Sequence, residues 1–123
     1  MEIYLTSKDF IHQVENKTVT GKFLINSSDE SIQDMDFKGV LFKDAEIHGG
    51  EFVSGSFINC TFDNVIFNKS SLVGVNFNRC NFKKCTFNKT QHDFGMDNCV
   101  IDRFQLTTFF HFPNVKAELG EEE

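Results

Sequence analysis

The stretch CTFDNVIFNKSSLVGVNFNRCNFKKCTFNK, residues 60–89, sets a large apolar residue at every fifth position: Phe62, Phe67, Leu72, Phe77, Phe82 and Phe87. The beat extends backwards through Phe57, Phe52, Ile47, Phe42 and Phe37 without a miss. Two residues before each sits something small: Val40, Ala45, Gly50, Gly55, Cys60, Val65, Ser70, Val75, Cys80, Cys85. Only Met35 is bulky in that slot. A period of five matches neither a helix at 3.6 residues per turn nor a flat strand at two. It demands a chain that turns a corner every five residues and sends one large and one small side chain inward. Four corners close a coil of about twenty residues, and an internal repeat of this kind dictates the architecture. Stacked coils pair backbone to backbone at about 4.8 Å, as neighbouring strands do.

The pentads CTFDN, VNFNR, CNFKK and CTFNK resemble the pentapeptide-repeat family, in which a small residue, Asp or Asn, Leu or Phe, and two polar residues recur. The resemblance implies an all-β fold, a right-handed quadrilateral β-helix, here of about four coils with a small N-terminal cap. It covers Ile32 to Phe87. The slot before the large residue departs from the family pattern, with Asp or Asn only at Asp36, Asn76 and Asn81. The inward rule is strict and the outward rule loose.

After Phe87 the phase slips. His92 falls where a large apolar residue belongs, and the pattern resumes one residue early at Phe94-x-Met96 and Cys99-x-Ile101. A one-residue deletion near Thr90–Asp93 accounts for this and carries the helix onward; a non-repeating cap is the competing reading. The expected division is an N-terminal cap over 1–28, the repeat over 29–112 and an acidic tail over 113–123. In the cap, Glu2–Leu5 reads as a short strand. Phe10, Ile11 and Val14 have helical spacing behind Ser7, the expected N-cap. Thr18–Asn26 reads as a strand broken by Gly21. The tail beyond Pro113 reads as a short helix or a disordered segment.

Composition fits a single domain of 123 residues built on phenylalanine, with 16 Phe against one Tyr and no Trp. Burying each Phe contributes roughly 1.5–3 kcal/mol, enough to hold a chain of this size without disulfides or metal. Without a basic segment leading into an apolar run at its start, the chain is expected to be cytoplasmic, with reduced cysteines and no membrane span. Cys60, Cys80 and Cys99 are expected to stack on one face as small buried groups. No converging Cys or His spacing suggests a metal, and no G-x-S-x-G, P-loop or G-x-G-x-x-G suggests a catalytic or cofactor site. His48 shares an outward slot with Asn68 and Asn88, a polar surface ladder. No enzyme activity and no cofactor are expected.

Function is therefore expected on the outward slots. Between Asp29 and Asp63 eight acids face two bases, whereas Asn64 to Phe87 holds four bases and no acid. Such a change of sign along the stack can steer and orient a partner. Lys69, Arg79, Lys83, Lys84 and Lys89 are the candidate contacts on the basic side. Val53, Ile58 and Val73 form the candidate apolar patch around a corner. Phe109, Phe110 and Phe112 are expected to cap the core or to pair with a second copy. The resulting reading is a non-catalytic, bacterial-type protein-binding module, most concretely a small inhibitor or immunity protein that blocks a toxin or an enzyme. The family resemblance implies an alternative, a DNA mimic that protects or modulates a type II topoisomerase. The short stack and its basic later half argue against that, and nucleic acid itself is not an expected partner.

Overall fold

A computed structural model describes residues 4–25, 35–88, 95–101 and 117–119 of the chain. It begins with one helix, α1 (Ser7–Glu15). Its N-cap is Thr6, not Ser7: the Thr6 hydroxyl accepts from the Asp9 backbone N–H, and the Asp9 carboxylate accepts from the Thr6 N–H. This reciprocal box satisfies two orphan donors, and it needs an acid three residues after the cap, which Thr6 has and Ser7 lacks. Ser7 is instead buried.

The strands that follow are β1 (Thr18–Ile25), β2 (Asp36–Lys38), β3 (Leu41–Gly49), β4 (Ser56–Ile58), β5 (Thr61–Asn68) and β6 (Asn76–Asn78). They continue with β7 (Asn81–Lys83), β8 (Thr86–Asn88), β9 (Gly95–Asp97), β10 (Cys99–Ile101) and β11 (Ala117–Leu119). All pairings are parallel and join a strand to its counterpart one turn on. One wall has the order β2-β4-β6-β9, four rungs separated by about three turns of solenoid. The other runs β1-β3-β5-β7-β10-β11, with β8 also on β5.

The register follows the beat. Phe37 pairs with Phe57 and Phe57 with Phe77; Phe42 pairs with Phe62 and Phe62 with Phe82. Past Phe87 the offset shortens by one, with Phe77 opposite Met96 and Phe82 opposite Ile101. The deletion read from the sequence is thus absorbed between turns without loss of pairing. Thr18–Ile25 is the strand expected there, with its bulge at Gly21, and it stands as a rung in register with β3. One reading is corrected. Ala117–Leu119, in the segment read as a helical or disordered acidic tail, is a strand paired with β10. Alternation over only three residues is too short a signal to separate a strand from a polar tail.

The axis is a column of rings. Phe37, Phe57 and Phe77 lie nearly parallel at 4.5 and 5.0 Å between centroids, and Phe42, Phe62 and Phe82 at 4.7 and 4.9 Å. Neighbouring columns meet edge to face, the geometry aromatic quadrupoles favour. Phe10 of α1 closes this end, its ring against Phe23, Phe37, Phe42 and Phe52. A solenoid needs such a cover because each turn buries itself only against its neighbours. All ten small slots from Val40 to Cys85 are buried; Phe87 is only half-buried. The cysteines stack as expected, and Cys60, Cys80 and Cys99 each donate to the carbonyl of the Phe one turn back, Phe37, Phe57 and Phe77. The adjoining thiols of Cys60 and Cys99, together with burial, push the Cys80 thiol up.

Candidate functional site

The corners decide what the surface presents. From Phe37 to Phe82, the second residue after each large residue of the beat has positive φ, from Gly39 at 64° through Asp44, Gly49, Ser54, Asn59, Asn64, Lys69, Gly74 and Arg79 to Lys84 at 54°. Asn98, two after Met96, keeps the rule at 56°. The left-handed region costs an ordinary L-residue roughly 1–2 kcal/mol, and Gly, Asn and Asp are the residues that tolerate it. Six of the first seven of these corners are not basic, and five of those six are Gly, Asp or Asn. From the seventh corner on, cations dominate: Lys69, Arg79 and Lys84 hold corners at 58°, 58° and 54°, with Gly74 between the first two.

These cations do not share one face. Arg79 and Lys84 occupy successive corners of one turn, and Lys69 sits a half-turn earlier. All three are exposed, as is Lys83. Lys83 stands in register with Asp63, which in turn pairs with Lys43, so its field is partly neutralised within the wall. Lys84 follows the ladder in which the Asn64 amide donates to Asp44 Oδ1 at 2.8 Å. Arg79 is anchored by its backbone N–H to the Asp97 carbonyl. None of Lys69, Arg79, Lys83 and Lys84 makes an ion pair among the described residues.

Val53 and Val73 occupy equivalent outward slots one turn apart, Val53 half-buried and Val73 exposed. The half-buried Ile58 lies on the next wall, beyond the Ser54 corner, on the β4 rung between Lys38 and Asn78. Lys89, Phe109, Phe110 and Phe112 fall outside the described residues.

The chain also forms a groove that its sequence did not announce. Tyr4, Leu24, His48, Gly49, Asn68 and Lys69 line a groove of about 240 Å³ on the wall of β1, β3 and β5. Leu24, His48 and Asn68 are in register on three successive rungs. Leu5 fixes the near rim by bonding Lys22 and Leu24 through its backbone, and the Tyr4 ring meets His48 edge-on at 5.2 Å. The His48 ring accepts at Nδ1 from the Asn68 amide at 3.0 Å and donates from Nε2 to Glu46 at 3.1 Å. Glu46 also faces Lys22 at 4.0 Å. The signal that could have found this groove was Leu24, an apolar residue in an outward slot. It went unread because Thr18–Asn26 carried no visible beat.

Among the described residues no helix is long and apolar enough to cross a membrane, and no three His, Cys, Asp or Glu side chains converge as metal ligands. In sequence, residues 56–90 match the family model for pentapeptide repeats, in 8 copies. No curated protein matches the chain. Among solved structures it is similar to a trypsin-treated variant of QnrB1, a plasmid-mediated fluoroquinolone resistance protein, with a TM-score of 0.58 at 15% identity. That superposition covers 83% of this chain and 50% of the other, so the chain spans about half that protein's length. At this identity the likeness concerns the fold, and it agrees with the coil geometry and the matched residues: the chain carries pentapeptide repeats over residues 56–90, wound into a β-solenoid similar to that of a pentapeptide-repeat β-helix.

Proposed function

We propose that this chain is a non-catalytic protein-binding module, in its most concrete form a small inhibitor or immunity-type protein that blocks a partner through the β-helix surface. The observation that carries the reading is the placement of Lys69, Arg79 and Lys84 at left-handed corners. Gly, Asn or Asp would hold those corners at lower conformational cost, and three exposed cations with no ion pair among the described residues stand there instead. Strained backbone retained at exposed, charged positions points to binding rather than to folding. An acidic partner surface would meet the wall between the successive corners Arg79 and Lys84, and the expected setting is the cytoplasm, where the four free cysteines stay reduced.

The test is affinity capture with the tagged chain, followed by an activity assay of whatever protein is retained. One partner inhibited stoichiometrically, and lost on charge reversal at Arg79, Lys83 and Lys84, supports the reading. Capture unaffected by the reversal sinks it. The second reading, a DNA-mimic protector or modulator of a type II topoisomerase, draws on the likeness to a fluoroquinolone resistance protein. It requires that the chain restore supercoiling by a gyrase inhibited with a fluoroquinolone.

A further inference from the structure

We infer that the groove beside His48 is a socket for a partner segment that presents an apolar side chain next to a carboxylate. This rests on the protein-binding reading and names the chemistry of one contact within it. Leu24 is 57% exposed, the most exposed large hydrophobic residue among the described ones, and Tyr4 is 36% exposed. An aliphatic or aromatic side chain laid between them removes apolar surface from water on both sides.

Gly49 is the one lining residue without a side chain. It lines the groove at a corner of φ 81°, where a Cβ would lie 2.6 Å from the Ile25 carbonyl oxygen, so only glycine lets β3 approach β1 this closely at that point. The charge of the occupant follows from the lining. Lys69 is the only formally charged residue among the six, and it has no ion-pair partner among the described residues. The nearby carboxylate of Glu46 is engaged by His48 and Lys22, so it does not neutralise the rim. The His48 ring is held on both nitrogens and forms a fixed floor. The socket thus presents two apolar walls and one cation at its edge. That is complementary to a Leu-Asp or Phe-Glu type of pair, and mismatched to an apolar-basic one.

The probe is N-acetyl-Leu-Asp-amide, titrated into the ¹⁵N-labelled full chain, with N-acetyl-Leu-Lys-amide and N-acetyl-Ala-Asp-amide as comparisons. Saturable shifts are expected at the Leu24, His48 and Asn68 amides with the first peptide. Its advantage over the Lys peptide should be about 1.5-fold to fivefold, the span of one exposed ion pair. Lys69→Glu should reverse that preference, and Leu24→Ser should abolish the shifts; both side chains are exposed, and unchanged amide spectra elsewhere will show that the fold is intact. Absent shifts, equal binding of the Asp and Lys peptides, or shifts that survive Leu24→Ser each overturn the socket. So do shifts at these amides that grow with protein concentration alone, which would make a second copy the occupant. Failure of the capture experiment with selective dipeptide binding retained sinks the inhibitor reading and leaves the socket standing.

Discussion

The axis and the corners of this molecule obey the same five-residue period and respond to it in opposite ways. On the axis, conformation and chemistry are both fixed: Phe, Ile or Leu fills every large slot from Phe37 to Phe82, and each is buried. At the corners, conformation alone is fixed. The backbone is left-handed at each one from Gly39 to Lys84, while the side chain ranges from Gly through Asn and Asp to Lys and Arg. Packing decides identity where a side chain must fill space. Where it points into solvent, only the backbone preference remains, and that preference is weak enough for a binding requirement to override.

The largest break of this contrast is on the axis. Phe62, fully buried and sandwiched between Phe42 and Phe82, should cost about 3–5 kcal/mol on conversion to Ala, measured by denaturant unfolding. A loss below about 1 kcal/mol would contradict its place in the column. Next come two corners that differ in surroundings. A Cβ added at Gly49 would lie 2.6 Å from the Ile25 carbonyl oxygen, whereas one added at Gly39 meets nothing within 4 Å. Gly49→Ala should therefore lose about 2 kcal/mol or more and Gly39→Ala about 1 kcal/mol, the conformational part alone. Equal losses would mean that the close approach of Gly49 to β1 is unimportant.

Thr6→Ala should remove about 1 kcal/mol through the lost helix cap, read by unfolding and helical circular dichroism. The backbone and hydroxyl of Thr6 hold the Asp9 carboxyl below its ordinary 3.8. A depressed carboxyl stabilises the fold above that value and loses the contribution as pH falls through its folded pKa. The wild type should thus lose cap stability in acid, and Thr6→Ala should show less of that acid dependence. The smallest effect has the opposite sign. Lys84→Asn suits a left-handed corner better and should gain about 0.5 kcal/mol while weakening partner capture. A gain in stability without loss of capture would take Lys84 out of the binding surface.

The same contrast explains what could be read from residues alone. The inward half of the repeat was legible because a large apolar residue recurs at every fifth position and a small one precedes it by two everywhere but at Met35, and this located the cysteine ladder and the one-residue slip as well. The corner rule was present in Gly39, Asn59, Asn64 and Gly74, but Lys69, Arg79 and Lys84 obscure it. The cap was placed one residue late because hydroxyl residues stand at both Thr6 and Ser7, and only the partner acid separates them. Leu24 stayed hidden because its rung, Thr18–Ile25, carries the fold's register without its beat. The groove therefore depends on a pairing of rungs that no local pattern encodes.

The one-turn spacing of the rungs also governs how the chain is assembled and taken apart. Among the described strands, each pairs with residues about one coil away, from Thr18 with Leu41 to Cys99 with Ala117. Closing a loop of that length is entropically similar at each step, and each closure is rewarded at once by a new ring on the column. Such a chain can wind up turn by turn as it leaves the ribosome, beginning from the helix that plugs its first end. Under a pulling force it should pay out in increments of one coil, a ratchet with a pitch written into the register.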